Sequence, residues 1–135
     1  MSYTITDIEG IGPVLGKKLQ DAGIKTTDAL LKRASSPKGR KEVAGETGID
    51  EKQILKFANM ADLMRIKGVG EEYSELLEAA GVDTVKELRN RRPDNLTAKM
   101  AEVNATKKLV RSLPSEKVVE GWVAQAKDLP PVMTY

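Results

Sequence analysis

The sequence predicts an all-α protein made of two tandem five-helix units. Three observations lead there. Apolar residues recur three and four positions apart through most of the chain, which is the period of a helix face. No run alternates apolar with polar residues between hairpin turns, so a sheet is not expected. The chain also repeats itself: Ile8-Glu9-Gly10-Ile11-Gly12 aligns with Ile66-Lys67-Gly68-Val69-Gly70 at an offset of 58. The register then holds through Leu19 and Leu77, Ala22-Gly23-Ile24 and Ala80-Gly81-Val82, Thr26 and Thr84, and Leu30 and Leu88. A match kept over a whole segment points to duplication of one helical unit. The units fall at residues 1–62 and 63–135, and nothing between them reads as a flexible linker, so they are expected to be rigidly joined.

Taken in order, Thr4 to Asp7 reads as a short lead-in helix before the first glycine pair. The next helix runs from about Pro13 to Ala22, with Leu15, Leu19 and Ala22 on one face and Gly23 as its C-terminal cap. Thr26 is placed to N-cap a third helix bearing Ala29, Leu30 and Leu31. Ser35-Ser36-Pro37-Lys38-Gly39 reads as a loop from its breakers. A fourth helix, about Arg40 to Glu46, ends near Gly48, and Asp50 with Gln53 resembles a capping pair for a fifth that carries Ile54, Phe57, Ala58 and Ala61. In the second unit Tyr73, Leu76, Leu77 and Ala80 form the apolar stripe after Glu71, and Thr84 with Glu87 reads as a capping box. Asn90 to Asp94 is the next loop, followed by a helix from about Asn95 to Val103 and a longer stretch, Asn104 to Pro114. Ser115 then N-caps a last helix with Val118, Val119, Trp122, Val123 and Ala126, which Leu129-Pro130-Pro131 stops. Phe57 and Trp122 fall in corresponding last helices and read as core anchors.

Composition narrows the chemistry. The chain has 135 residues, no cysteine and no histidine. This removes disulfides, thiolate zinc sites, thiol catalysis and the usual general base. Twenty-two basic residues against twenty acidic ones leave a net charge of +2, so attraction to nucleic acid must be local rather than global. Residues 1–65 hold eleven basic and nine acidic residues, whereas 66–135 hold eleven of each, and the small excess sits with the first glycine pair. Met1 to Asp7 has neither a basic n-region nor an apolar core, and no apolar run reaches spanning length. A cytoplasmic protein without membrane contact is the expectation.

The sharpest chemistry lies in Ile8 to Leu19. Two glycines leave the main chain bare for close approach, and Pro13 suits the first turn of a helix, where its missing N–H is no loss. Open N–H groups at a helix start form a site for an anion such as a phosphate. Lys17 and Lys18 follow one turn later.

These residues carry a resemblance. Ile8-Glu9-Gly10-Ile11-Gly12-Pro13-Val14-Leu15-Gly16-Lys17-Lys18-Leu19 resembles the helix-hairpin-helix motif of non-sequence-specific DNA-binding proteins, and Ile66 to Leu77 is a looser copy. The duplicated layout, including Ala61 to Ile66, Ala79 to Thr84 and the Trp122 to Pro131 ending, is similar to an uncharacterised bacterial family of tandem helix-hairpin-helix proteins, catalogued as a domain of unknown function. The resemblance implies two SAM-domain-like units, each with one such motif. It also implies DNA as partner, held at its backbone by the N–H groups of Gly10, Ile11 and Gly12, with Gly16 in the following turn and Lys17 and Lys18 as charge. No cofactor is implied beyond a monovalent cation bridging loop carbonyls of the first hairpin to DNA. The second hairpin offers Gly68, Val69 and Gly70 more weakly. There Glu75 stands in place of Lys17, a leucine in place of Lys18, and Glu71 and Glu72 open the helix, three carboxylates that repel phosphate.

Other readings stay beside this one. A Gly-x-Gly turn also lets helices pack closely, and the duplicated fold also serves protein–protein interaction, for which the acidic second hairpin or the Trp122 region would be the docking face. Lys38-Gly39-Arg40-Lys41 and Arg89-Asn90-Arg91-Arg92 could flank a nucleic-acid surface or be solvated helix ends. Few aromatics are available for base stacking, which disfavours a dedicated single-strand binder. Some DNA glycosylases follow a related hairpin with a catalytic Asp, but Asp28 sits in the first turn of a capped helix without their glycine- and proline-rich segment. No paired carboxylates, nucleophile–base pair or phosphate-binding loop is present. The chain is not expected to be an enzyme.

Overall fold

Local capping chemistry sets the element boundaries. In the computed structural model, which describes residues 3–135, the chain is all-helical. A 3-10 turn, Ile5–Asp7, is followed by eight α-helices: α1 (Pro13–Asp21), α2 (Thr27–Ala34), α3 (Pro37–Thr47), α4 (Glu51–Leu63), α5 (Glu71–Ala79), α6 (Val85–Leu88), α7 (Pro93–Lys107) and α8 (Glu116–Asp128). Thr26, Thr84 and Ser115 cap as their side chains dictate, each hydroxyl accepting the N–H three residues on, at 3.1, 3.3 and 3.2 Å. The Thr84 box closes differently from its sequence reading, because the Glu87 carboxylate takes the N–H of Asp83 at 3.4 Å. Among the described residues no strand forms beyond an isolated bridge between Thr4 and Thr26, and no helix is long and apolar enough to cross a membrane.

The chain divides into two units, one reaching to Asp62 and including Val132–Tyr135, the other Leu63–Pro131. Unit 1 reaches five helical elements only by counting the 3-10 turn, and unit 2 holds α5 to α8. In unit 1 the buried positions include Ile5, Ile8, Leu19, Ile24, Leu30, Ile54 and Phe57. In unit 2, Ile66, Val69, Leu76, Leu77, Leu88 and Met100 surround Trp122, which is only 3% exposed. Burying several large side chains per unit, at about 1.5–3 kcal/mol each, supplies the main driving force of folding. Trp122 is therefore a core anchor and cannot itself be a docking surface.

Two boundaries correct the sequence reading. The stretch Ser35 to Gly39 is a helix start rather than a loop, since the Ser36 hydroxyl accepts the Gly39 N–H at 3.1 Å and Pro37 takes the first helical position. Gly39 is there for space: a Cβ on it would lie 2.0 Å from the Arg33 carbonyl oxygen. The helix expected over Asn95 to Val103 extends from Pro93 to Lys107, and the chain turns out of it through Lys108 at φ +52°. The Asn104 amide then holds Val110 by both its N–H and its carbonyl, at 3.0 and 3.1 Å, which returns the longer stretch to the core.

Gly39→Ala is therefore expected to destabilise the protein by about 1–3 kcal/mol through overpacking. Gly45→Ala, in the same helix with nothing within 4 Å of the added carbon, should stabilise it by about 0.5–1 kcal/mol. Urea unfolding of the two variants checks the opposite signs. A second outcome concerns Asp83, whose carboxyl is pushed above its ordinary value by burial and by the neighbouring Glu87 carboxylate. A raised folded-state pKa means stability that is present below the unfolded value and lost as pH rises through the folded one. Asp83→Asn should thus raise the melting temperature at pH 7, and the gain should vanish towards pH 3.

Candidate nucleic-acid interface

The first glycine turn owes its shape to Gly10, which sits at φ +93° with the Phe57 ring 3.4 Å from where a Cβ would stand. An L side chain resists that conformation. The turn closes by the Ile11 N–H donating to the Ile8 carbonyl at 3.1 Å. This corrects the expectation for Ile11: its amide is spent within the turn, and its side chain is buried. Gly12, in extended conformation, is the N-cap of α1 and has no side chain to cap it. Among the described residues the N–H groups of Gly12, Val14 and Leu15 meet no protein acceptor, so they are the open donors at this helix start. Gly12, Pro13 and Val14 are exposed, Val14 by 70%.

Gly16 has a packing role. It is buried, donates its N–H to the Gly12 carbonyl at 2.8 Å, and its absent Cβ would come within 2.8 Å of the Thr6 methyl. Lys17 and Lys18 are both exposed one turn into α1. Lys17 lies 3.8 Å from Asp21 in a solvent-facing pair of little energetic weight, whereas Lys18 meets no carboxylate among the described residues.

The second turn copies the backbone and changes the surroundings. Gly68 has φ +94°, Val69 donates to Ile66 at 3.1 Å, and Gly70 caps α5 as Gly12 caps α1. Corresponding bonds close both following turns, Ile24 to Leu19 and Val82 to Leu77, each at 2.8 Å. Here the covering ring is Trp122, whose indole nitrogen lies 3.2 Å from the Gly68 Cβ position and whose ring packs on Tyr73 at 5.2 Å between centroids. Gln125 clamps the loop from α8: its amide oxygen accepts the Lys67 N–H at 2.9 Å and its amide nitrogen donates to the Lys67 carbonyl at 3.2 Å. Glu9, at the same place in the first turn, has no such clamp among the described residues. Glu71 and Glu72 stand exposed in the first turn of α5. Sequence reasoning missed the clamp, because a glutamine on a helix face gives no signal of a bond made 58 residues away.

The flanking basic patches do not survive as continuous charge. Arg40 is buried, with its guanidinium donating to the Ala34 and Thr134 carbonyls at 3.0 and 2.8 Å, which leaves Lys38 and Lys41 exposed without it. Arg91 reaches the Gly81 carbonyl at 3.5 Å, and Arg92 pairs with Asp94 at 2.9 Å. The Asn95 N–H and that guanidinium hold the Asp94 carboxyl below its ordinary value.

Comparison with curated proteins and with solved structures found no match. A family model does match, over residues 9–129, from the first glycine turn through the end of α8. The chain belongs to the family described as "Domain of unknown function (DUF4332)".

Proposed function

We propose that this protein binds the backbone of nucleic acid without sequence preference, with DNA as the partner, and that the two glycine turns are helix-hairpin-helix motifs of which the first does the binding. The observation that carries this reading is the exposed start of α1, where the N–H groups of Gly12, Val14 and Leu15 meet no protein acceptor and no side chain caps the helix. Such a start attracts an anion through its free donors and the helix dipole. Lys17 and Lys18 add charge one turn away. The second turn acts as an internal contrast, since its loop is clamped by Gln125 and its helix opens with two exposed carboxylates. A monovalent cation at the Glu9 to Ile11 loop carbonyls would belong to the same contact. Backbone contacts of this kind position without reading bases.

A salt titration of duplex binding tests the proposal. Affinity should fall as salt rises, with a log–log slope of about 0.9 for each phosphate neutralised, and absence of binding at low salt would end it. Lys17→Glu combined with Lys18→Glu should lower affinity roughly tenfold or more with helicity unchanged. Because Asp21 partly neutralises Lys17, Lys18→Ala should cost more than Lys17→Ala, and Asp21→Asn should tighten binding. An equal loss from Glu71→Gln with Glu72→Gln would contradict the asymmetry between the turns.

A further inference from the structure

The stretch that joins α7 to α8 sets unit 2 apart from unit 1. Eight residues, 108–115, lie between these two helices, where only three, 48–50, lie between α3 and α4. The longer link is held at several points. Asn104 ties Val110 by both main-chain groups, the Tyr73 hydroxyl donates to the Ser112 carbonyl at 2.9 Å, and Val110 and Pro114 are buried. On this frame stand Lys107, Lys108, Arg111 and Lys117, all exposed. Among the described residues none of their side chains has a hydrogen-bond or ion-pair partner, unlike those of Arg40, Arg91 and Arg92 in the other basic stretches. Residues 104–118 hold these four cations and a single acid, Glu116, a local excess greater than the +2 of the whole chain. Lys108 adds a second mark. It takes φ +52°, the one positive φ outside glycine among the described residues. That place after a helix ordinarily falls to glycine, and a side chain there costs stability. The helix dipole favours a cation at the end of α7 but not Lys117 in the first turn of α8.

We propose that this link is a second contact surface for the nucleic-acid backbone, with Lys107, Lys108, Arg111 and Lys117 neutralising phosphates of a duplex. The inference rests on the reading of nucleic acid as the partner, but not on the first glycine turn as the place of contact. A nearly neutral molecule meets a polyanion only through local charge, and here that charge is both exposed and rigidly based. Residues 104–118 hold no aromatic for stacking on unpaired bases, so the fitting form is double-stranded. Leu113 and Val118, 44% and 45% exposed, stand among the cations. Two aliphatic side chains with no aromatic in the stretch are too little to hold a lipid interface.

Salt titrations of duplex binding by full-length variants test this surface. Lys107→Gln, Lys108→Gln, Arg111→Gln and Lys117→Gln combined should lower affinity roughly tenfold or more at low salt, with helicity unchanged. The log–log slope should fall by about 1.8 or more, corresponding to two phosphates. Should that variant not fold, Lys107→Gln with Lys117→Gln decides, and its slope should fall by about 0.9 or more. A loss in the link variant, with none from Lys17→Glu and Lys18→Glu, would uphold this surface and refute the first turn; the reverse pattern would refute this surface alone. Absence of duplex binding at low salt would end both. Binding to vesicles rich in anionic lipid, without duplex binding, would overturn the choice of partner. Lys108→Gly separates charge from structure: the melting temperature should rise as the left-handed strain is relieved, while affinity falls roughly twofold or more. A higher melting temperature with affinity and slope unchanged would contradict the assignment of Lys108.

Discussion

Much of each unit depends on one constraint, a chain reversal placed directly before a helix and roofed by an aromatic ring. Gly10 and Gly68 take almost the same positive φ, and Phe57 and Trp122 lie against their bare α-carbons. The reversal lets the apolar residues on either side of it turn inward together, Ile8 with Ile11 and Ile66 with Val69, while the next glycine starts a helix. A larger residue at the turn would meet both the strain of the left-handed region and the ring above it. The glycines therefore have a purpose in the core before any ligand is considered.

That purpose leaves the outer surfaces of the two turns free to differ. In unit 1 the helix start is bare and followed by lysines, while in unit 2 the same backbone carries carboxylates and is fixed by an amide from α8. Beyond the clamp, electrostatics separates the two helix starts, since an anion would gain from the helix dipole in the first case and would meet two negative side chains in the second. Burial is equally complete under both turns, so the difference in surface does not come from a difference in core.

The parts of this molecule legible in the sequence are those decided locally. The helices after Thr26, Thr84 and Ser115 could be read because the capping hydroxyl and its target lie three residues apart. The start of α3 could not, because Ser-Ser-Pro-Lys-Gly signals a loop and a helix N-terminus equally well, and what decided it was Gly39 fitting against Arg33. At the candidate interface the glycines and lysines were visible, but not which amides stay open, since Ile11 spends its own on Ile8. Arg40 looked like surface charge because its partner Thr134 lies 94 residues away.

The way Arg40 is housed has a further consequence. An interior guanidinium is commonly matched to a carboxylate, and such a junction weakens when acid protonates the partner. Arg40 is instead surrounded by two main-chain carbonyl oxygens and an aromatic face, none of which takes up a proton in the acid range. The Arg40 contacts that tie α2, α3 and the returning segment together therefore do not depend on an ionised carboxylate.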